Sequence, residues 1–395
     1  MNAPVYLVAG KRTPFGKFGG ALAALSATDL AVLAAQGALE AAGVSPEAID
    51  SVVFGNVQQT SSDAPYLARH VGLRAAVPVA TPALTLNRLC GSGLEAVLEA
   101  ARQIRLGEAD VVLAGGTESM SQAPHVARGL RQGLRLGKSP VLEDSLFASL
   151  TDGFCKLAMG ETAERLAKEV GINRELADRW ALRSQQRVAA AQAEGRFRDE
   201  LLRVDLPRGK SLEADEHPRA GATLEDLAAL PTVFAAGGVV TAGNASGICD
   251  GAAALVVASE AACKRLSLKP LARLVSAAVV GVPPETMGIG PVPALGQALT
   301  RAGRLLADLD LIEINEAFAA QVAAVVQGLG LDDATAEARV NVDGGAIALG
   351  HPLGASGARI LLHLALALRA RNGTLGAASA CIGGGQGIAA LIERC

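Results

Sequence analysis

Cys90 stands between a short apolar run and two glycines in Asn87-Arg88-Leu89-Cys90-Gly91-Ser92-Gly93. Behind it, Leu94, Val97, Leu98, Ala101 and Ile104 recur at the spacing of one helix face, so a helix is predicted to start just after the thiol. The unpaired N–H groups and positive dipole end of a helix start favour thiolate over thiol. Gly91 and Gly93 let backbone approach a ligand closely. Taken alone, the stretch fits a buried, inert cysteine in a strand-to-helix turn equally well.

The far end of the chain moves the balance. Gly344-Gly345-Ala346-Ile347-Ala348-Leu349-Gly350-His351-Pro352 places an imidazole in a glycine-rich turn, and about 30 residues on Ser379-Ala380-Cys381-Ile382-Gly383-Gly384-Gly385 does the same for a second thiol. Two thiols and an imidazole in turns built for close approach fit nucleophilic catalysis with acid–base help. No short C-x-x-C or H-x-x-x-H spacing suggests a metal site.

The elements that must hold these turns repeat. Residues 5–9 read as a buried strand, followed by a turn over 11–16. Thr28 or Asp29 caps a helix from Leu30 to Ala42, and Gly43 closes it. Residues 49–56 read as a strand running into a turn. Ala38 to Val53 aligns without a gap on Ala298 to Glu313, which sets Gly55 opposite Asn315. Gly91-Ser92-Gly93, a helix and Val111-Val112-Leu113-Ala114 match Ala355-Ser356-Gly357, a helix and Ala377-Ala378-Ser379-Ala380. A repeat of that size is half a domain, and each copy alternates strand and helix as an α/β unit. Residues 120–249 are richer in charge and helix, and read as an insertion that covers the site. The expected division is 1–119 with 250–271 as the first half, 120–249 as the insertion and 272–395 as the second half.

Composition bounds the rest. The 395 residues are 50% hydrophobic with a net charge of −3, enough for two or three domains or one large core. No basic stretch suggests a nucleic-acid surface. The N-terminal apolar run is too short for a secretory signal. The run Ile360 to Leu368 holds His363 and is read as too short to span a bilayer. Six scattered cysteines without such a signal fit a reducing, cytoplasmic setting.

The motifs together resemble those of the thiolases, over the whole chain. They are Arg12-Thr13-Pro14-Phe15-Gly16, the Cys90 stretch, Gly115-Gly116-Thr117-Glu118-Ser119-Met120-Ser121, Asn244-Ala245-Ser246-Gly247, Asn315-Glu316-Ala317-Phe318, Gly350-His351-Pro352 and Cys381-Ile382-Gly383-Gly384-Gly385. The stretch Ser61 to Arg74 is most similar to the mitochondrial-type 3-ketoacyl-CoA thiolases. The resemblance implies two similar α/β halves in a five-layer α-β-α-β-α core, with an inserted loop domain for coenzyme A and oligomer contacts.

By the same resemblance, Cys90 is the acylated nucleophile and Cys381 the acid/base that moves the α-carbon proton. His351 activates Cys90 and helps hold a thioester oxygen. Asn315 orients a water at that oxyanion hole. The N–H groups of Cys90 and Gly383 form a second hole. Ser246, Arg219, Leu150, Met159, Phe234, Met287 and Phe318 line the coenzyme A and acyl pocket. No cofactor is held permanently, coenzyme A is a substrate, and the assembly is a homotetramer. The implied activity is acetyl-CoA C-acyltransferase. The alternatives are acetyl-CoA C-acetyltransferase and a non-catalytic acyl-CoA-binding relative, and the presence of Cys90, His351 and Cys381 argues against the latter. Asp343 departs from the Asn common before the Gly-Gly pair and reads as a tolerated turn substitution. Ala158 stands where strict acetoacetyl enzymes usually have His, leaving room for longer acyl chains. His363 reads as a partly buried packing residue.

Overall fold

The structure, a computed structural model, describes residues 3–395. Nine strands form the path of one large sheet: β1 (Val5–Arg12), β2 (Ser51–Gly55), β3 (Ala83–Leu86), β4 (Val111–Ser119), β5 (Cys249–Ser259), β6 (Ala272–Gly281), β7 (Leu311–Ile314), β8 (Leu375–Ile382) and β9 (Gln386–Arg394). The helices that matter are α1 (Ala27–Ala42), α2 (Leu67–Arg74), α3 (Ser92–Leu106), α4 (Met159–Val170), α5 (Arg174–Ala193), α6 (Pro291–Ala302), α7 (Ala319–Gly328) and α8 (Leu353–Ala370).

The strand order is β7-β8-β9-β6-β1-β5-β4-β2-β3, and it carries the repeat. In the first half β1 runs antiparallel to β5, β5 antiparallel to β4, and β2 parallel to both β4 and β3. In the second, β6 runs antiparallel to β9, β9 antiparallel to β8, and β8 parallel to β7. A parallel bridge from Ile312 to Val340 stands in for the β2–β3 pair. The halves join through Tyr6–Arg273 and Leu7–Ala272.

Alternation along the strands builds five layers, since successive side chains point to opposite faces. Val53, Ala114 and Leu255 face inward with Ala378, Ala380 and Ile388, and both sets pack on α3 and α8. Val52, Phe54 and Leu113 face out to α1 and α2, while Ala377, Ala389 and Leu391 face out to α6 and α7. By length and composition α8 could cross a membrane, yet 89% of it is buried as the middle layer. Small residues let the two central helices touch. A Cβ on Gly93 would sit 2.6 Å from Ala358 N, and one on Gly357 would collide with Leu94 N.

Several local details differ from the sequence reading. β1 continues through Lys11 and Arg12, because Arg12 is held by ion pairs rather than turned out to solvent. The cap of α1 is Ser26, whose hydroxyl accepts from Asp29 N–H, while the Asp29 carboxylate accepts from Ser26 N–H in return. Asp29 is thus the third helical residue of a capping box rather than the cap. Gly43 and Gly303 close α1 and α6 with φ of 62° each, as the repeat requires.

The segment between β4 and β5 packs α5 against α7 through Ala177, Trp180 and Ala181. It is also tied in by buried charges. Arg12 Nε meets Glu200 at 2.7 Å and Nη1 meets Asp215 at 2.6 Å. His363 bridges Glu200 at 2.8 Å and Asp343 at 3.3 Å. His363 is therefore no packing residue: burial opposes its charge, but Glu200 and Asp343 override that and hold it up to about 10. Asp343 also pairs with Arg196 and Arg371, so an anion is required there and the position is more than a tolerant turn. Its partners come from distant parts of the chain, which is why the substitution looked neutral in sequence.

Candidate active site

The loop from β3 into α3 sets Cys90. Asn87 Oδ1 accepts from Leu89 N–H at 2.9 Å, and Asn87 Nδ2 donates to Val57 O at 3.2 Å. Ser92 Oγ accepts from Arg88 N–H at 2.8 Å and donates to Leu89 O at 2.7 Å. These bonds hold Leu89 at φ 48°, a left-handed conformation that costs a branched side chain energy and marks functional loops. Cys90 then lies in one tight turn at the start of α3, as the apolar spacing predicts. Cys90 is part-buried and packs on the cluster of Val57, Met120, Leu146 and Leu353.

The second thiol comes from the other half. Cys381 is fully buried near the end of β8, before a turn in which Gly384 and Gly385 take φ of 78° and 82°. That turn sets Gly383 against the Cys90 loop, where a Cβ on the glycine would lie 3.6 Å from Leu89 Cδ1, and the Gly383 and Cys90 N–H groups both favour the Cys90 thiolate. Burial raises Cys381, and the charge Cys90 would carry raises it further, so the two thiols feel each other directly.

Burial also pushes Cys90 up to about 11, despite both N–H groups, with the Glu118 carboxylate adding to the shift. The expectation that the helix start favours thiolate at Cys90 is thus overturned. Desolvation in an apolar pocket outweighs the helix end. A base is needed to ionise Cys90.

His351 lies in the same region, on the turn entering α8. Its N–H donates to Gly247 O at 3.0 Å, after Gly350 at φ 98°. Nδ1 lies 2.5 Å from Ser356 Oγ and Nε2 lies 3.3 Å from Asn315 Nδ2. Burial, then the Arg359 charge, lowers the ring to about 3, so the imidazole is neutral at any working pH. Asn315 follows β7, its N–H bonded to Ser379 O at 2.9 Å.

Most of the pocket residues gather here. Met287, Ala317 and Cys381 form one buried cluster, with Met159 and Phe318 against it. Phe234 meets Phe318 edge-on at 6.5 Å between ring centres. Met159 Sδ would lie 3.1 Å from a Cβ on Gly383. Ser246 donates its hydroxyl to Ala317 O at 2.9 Å. Arg219 stands apart: its N–H is anchored to Gln185 Oε1 at 2.8 Å, and its guanidinium is exposed.

Two groups carry no role in the sequence reading. Glu118 accepts from Asn56 Nδ2, Val57 N–H, Gln58 N–H and Gly354 N–H at 3.0–3.2 Å, clamping the His351 loop to the first half. Burial raises its carboxyl to about 7. A lone charge in the buried strand Val111–Ser119 was the available signal. His217 fills the space beside Gly247 and Gly350, and nothing in its sequence surroundings points to that. Among the described residues no cluster of His, Cys, Asp and Glu is placed to hold a metal ion.

Two opposed thiols, a neutral imidazole and converging backbone N–H groups make this the site of a thiol-dependent acyltransferase. Residues 5–261 match the model described as thiolase, N-terminal domain, and residues 268–394 the model described as thiolase, C-terminal domain, so the chain belongs to the thiolase family. It is 55% identical over 392 residues to the mitochondrial 3-ketoacyl-CoA thiolase of Homo sapiens, covering 98% of each chain. It is 47% identical over 394 residues to the acetyl-CoA acetyltransferase of Cupriavidus necator, covering 99% of each. Among solved structures, human mitochondrial 3-ketoacyl-CoA thiolase in complex with CoA superposes with a TM-score of 0.97 at 54% identity, over 100% of this chain and 98% of that one. The acetyl-CoA acetyltransferase of Syntrophomonas wolfei gives 0.95 at 39% identity, over 100% of both chains.

Proposed function

We propose that the protein is an acetyl-CoA C-acyltransferase that cleaves 3-ketoacyl-CoA with coenzyme A, giving acetyl-CoA and a shortened acyl-CoA, as in fatty acid β-oxidation. The observation that carries this reading is the meeting of the Cys90 loop with the Cys381 strand end, where a Cβ on Gly91 would lie 2.7 Å from Ile382 and one on Gly383 3.6 Å from Leu89. His351 takes the Cys90 proton. The thiolate attacks the 3-keto carbon, and the two N–H groups hold the oxyanion that forms. The C–C bond breaks to leave an acetyl-CoA enolate, whose carbon Cys381 protonates. His351 and a water oriented by Asn315 hold the thioester oxygen on the other side. Coenzyme A then gives its thiol proton to the Cys381 thiolate and takes the acyl group, and His351 returns its proton to the released Cys90 thiolate. Each acid–base role supplies roughly 10²–10⁴ in rate.

Coenzyme A enters as a substrate between the insertion and the two halves, with Ser246 and the exposed Arg219 at the rim. No resident cofactor takes part in these steps. The site belongs in the cytoplasm, and the assembly is a homotetramer with 125–141 as its contact. That segment exposes Leu130, Leu134, Leu136 and Val141.

Acetyl-CoA added without free coenzyme A should leave one acetyl group per chain, at Cys90, by peptide mass spectrometry. A label on Cys381 would reverse the two roles. Loss of magnesium–acetoacetyl-CoA absorbance on adding coenzyme A separates an enzyme from a binder. A second reading, acetyl-CoA C-acetyltransferase, is favoured by the 47% identity to such enzymes. Chain length decides between them. Met159 and Met287 are flexible fillers, and each accommodated methylene is worth about 0.8 kcal/mol. Six- and eight-carbon 3-ketoacyl-CoA should therefore be cleaved at least as well as acetoacetyl-CoA. Much slower cleavage of both selects the second reading.

A further inference from the structure

The repeat places a serine at the start of each central helix, Ser92 in α3 and Ser356 in α8. In the first half the hydroxyl does two things. It donates to Leu89 O at 2.7 Å and accepts from Arg88 N–H, four residues back, at 2.8 Å. In the second half it again donates to a carbonyl, Pro352 O, at 3.0 Å. The residue four back is now Pro352 itself, which has no N–H to give. The acceptor side of the Ser356 hydroxyl is therefore free of backbone, and His351 Nδ1 occupies it at 2.5 Å.

We propose that Ser356 is a positioning residue: it holds His351 as the Nδ1–H tautomer and leaves Nε2 bare as the base for Cys90. This rests on the role given to His351 above. A hydroxyl has one proton and accepts with its lone pairs. With that proton on Pro352 O, the ring nitrogen beside it must be the donor. The opposite ring nitrogen then presents a lone pair to Asn315 Nδ2 at 3.3 Å, a group that only donates. Both neighbours select the same tautomer. Ser356 and His351 are 1% and 5% exposed, so bulk water does not compete for either bond.

The proton inventory is simple. The Cys90 S–H bond breaks, Nε2–H forms, and the products are a thiolate and an imidazolium. Nδ1–H stays on Ser356 throughout, so the ring keeps its orientation while its charge changes. No redox partner is required. The proline and the serine act together: the proline vacates the acceptor position that the ring fills.

The test is nitrogen NMR of the full-length protein with ring-labelled histidine, the five histidines being resolved by single substitutions such as His351→Asn. The wild type should show His351 with Nδ1 protonated and Nε2 bare. Ser356→Ala should give mixed tautomers and a kcat for thiolysis about 10- to 100-fold lower, with KM little changed. That is a milder loss than the ~10⁴ seen when a triad histidine is held in the wrong tautomer. Ser356→Cys, which keeps the volume with a weaker acceptor, should fall between the two. A wild type with Nε2–H, or a Ser356→Ala variant with unchanged tautomer and kcat, would overturn the proposal. If Ser356→Ala does not fold, the wild-type spectrum alone decides. A wild type that does not cleave acetoacetyl-CoA would instead sink the functional reading, and the nitrogen shifts would still report the tautomer.

Discussion

At the scale of single residues, the site depends on groups kept neutral until substrate arrives. Cys90 is pushed up to about 11, so little thiolate exists in the free protein at neutral pH. Alkylation of Cys90 by iodoacetamide should therefore keep rising with pH beyond 9. A plateau below pH 8 would mean that the N–H groups outweigh burial. Cys381 is buried too, and acylation itself needs no α-carbon proton transfer. Cys381→Ala should abolish cleavage yet permit slow acetylation of Cys90, read by mass spectrometry. Loss of acetylation as complete as in Cys90→Ala would break that division of labour. That Cys90, His351 and Cys381 meet was legible in sequence, because each sits in a glycine-rich motif, while Asn315 was placed by the resemblance alone. Their ionisation was not. It depends on how deeply other segments bury them, and local spacing carries no measure of that.

At the scale of elements, the half-domain repeat was the most informative signal, and it placed strands and helix ends correctly wherever local chemistry agreed. It missed Ser26 because three capping residue types crowd the start of α1, and only the reciprocal bonds with Asp29 choose among them. The repeat also put Gly93 and Gly357 in matching positions without showing that they meet. The crossing of α3 and α8 leaves no room for a methyl group on Gly357, since the obstacle is the Leu94 backbone rather than a movable side chain. Gly357→Ala should cost about 1–3 kcal/mol by overpacking. It should lower the denaturation midpoint more than Gly296→Ala, a site on α6 with open space around it. Equal midpoints would mean that the central helices slide apart at no cost.

At the scale of the whole molecule, three segments distant in sequence are fastened by buried charge. Arg12 from the first half, Glu200 and Asp215 from the insertion, and His363 and Asp343 from the second half form one chain of ion pairs. Removing one member of a buried pair costs about 3–5 kcal/mol. The pH dependence follows from the raised folded value of His363, about 10 against 6.5 ordinarily. Its contribution is complete below pH 6.5 and lost as pH rises through 10. The wild type should therefore lose its stability advantage over His363→Gln across that window. A difference that stays constant would show the ring to be neutral. A duplicated fold offers two symmetry-related places for the chemistry, and this chain has kept one. In the repeat, Gly354 stands opposite Cys90 and Gly115 opposite Cys381. At the mirror position a Cβ on Gly93 or on Gly116 would collide with Gly354 O, so neither could carry a side chain. The symmetry is thus broken by filling: the twin of the active site has become one more contact between the halves, with no room there for a second acyl group.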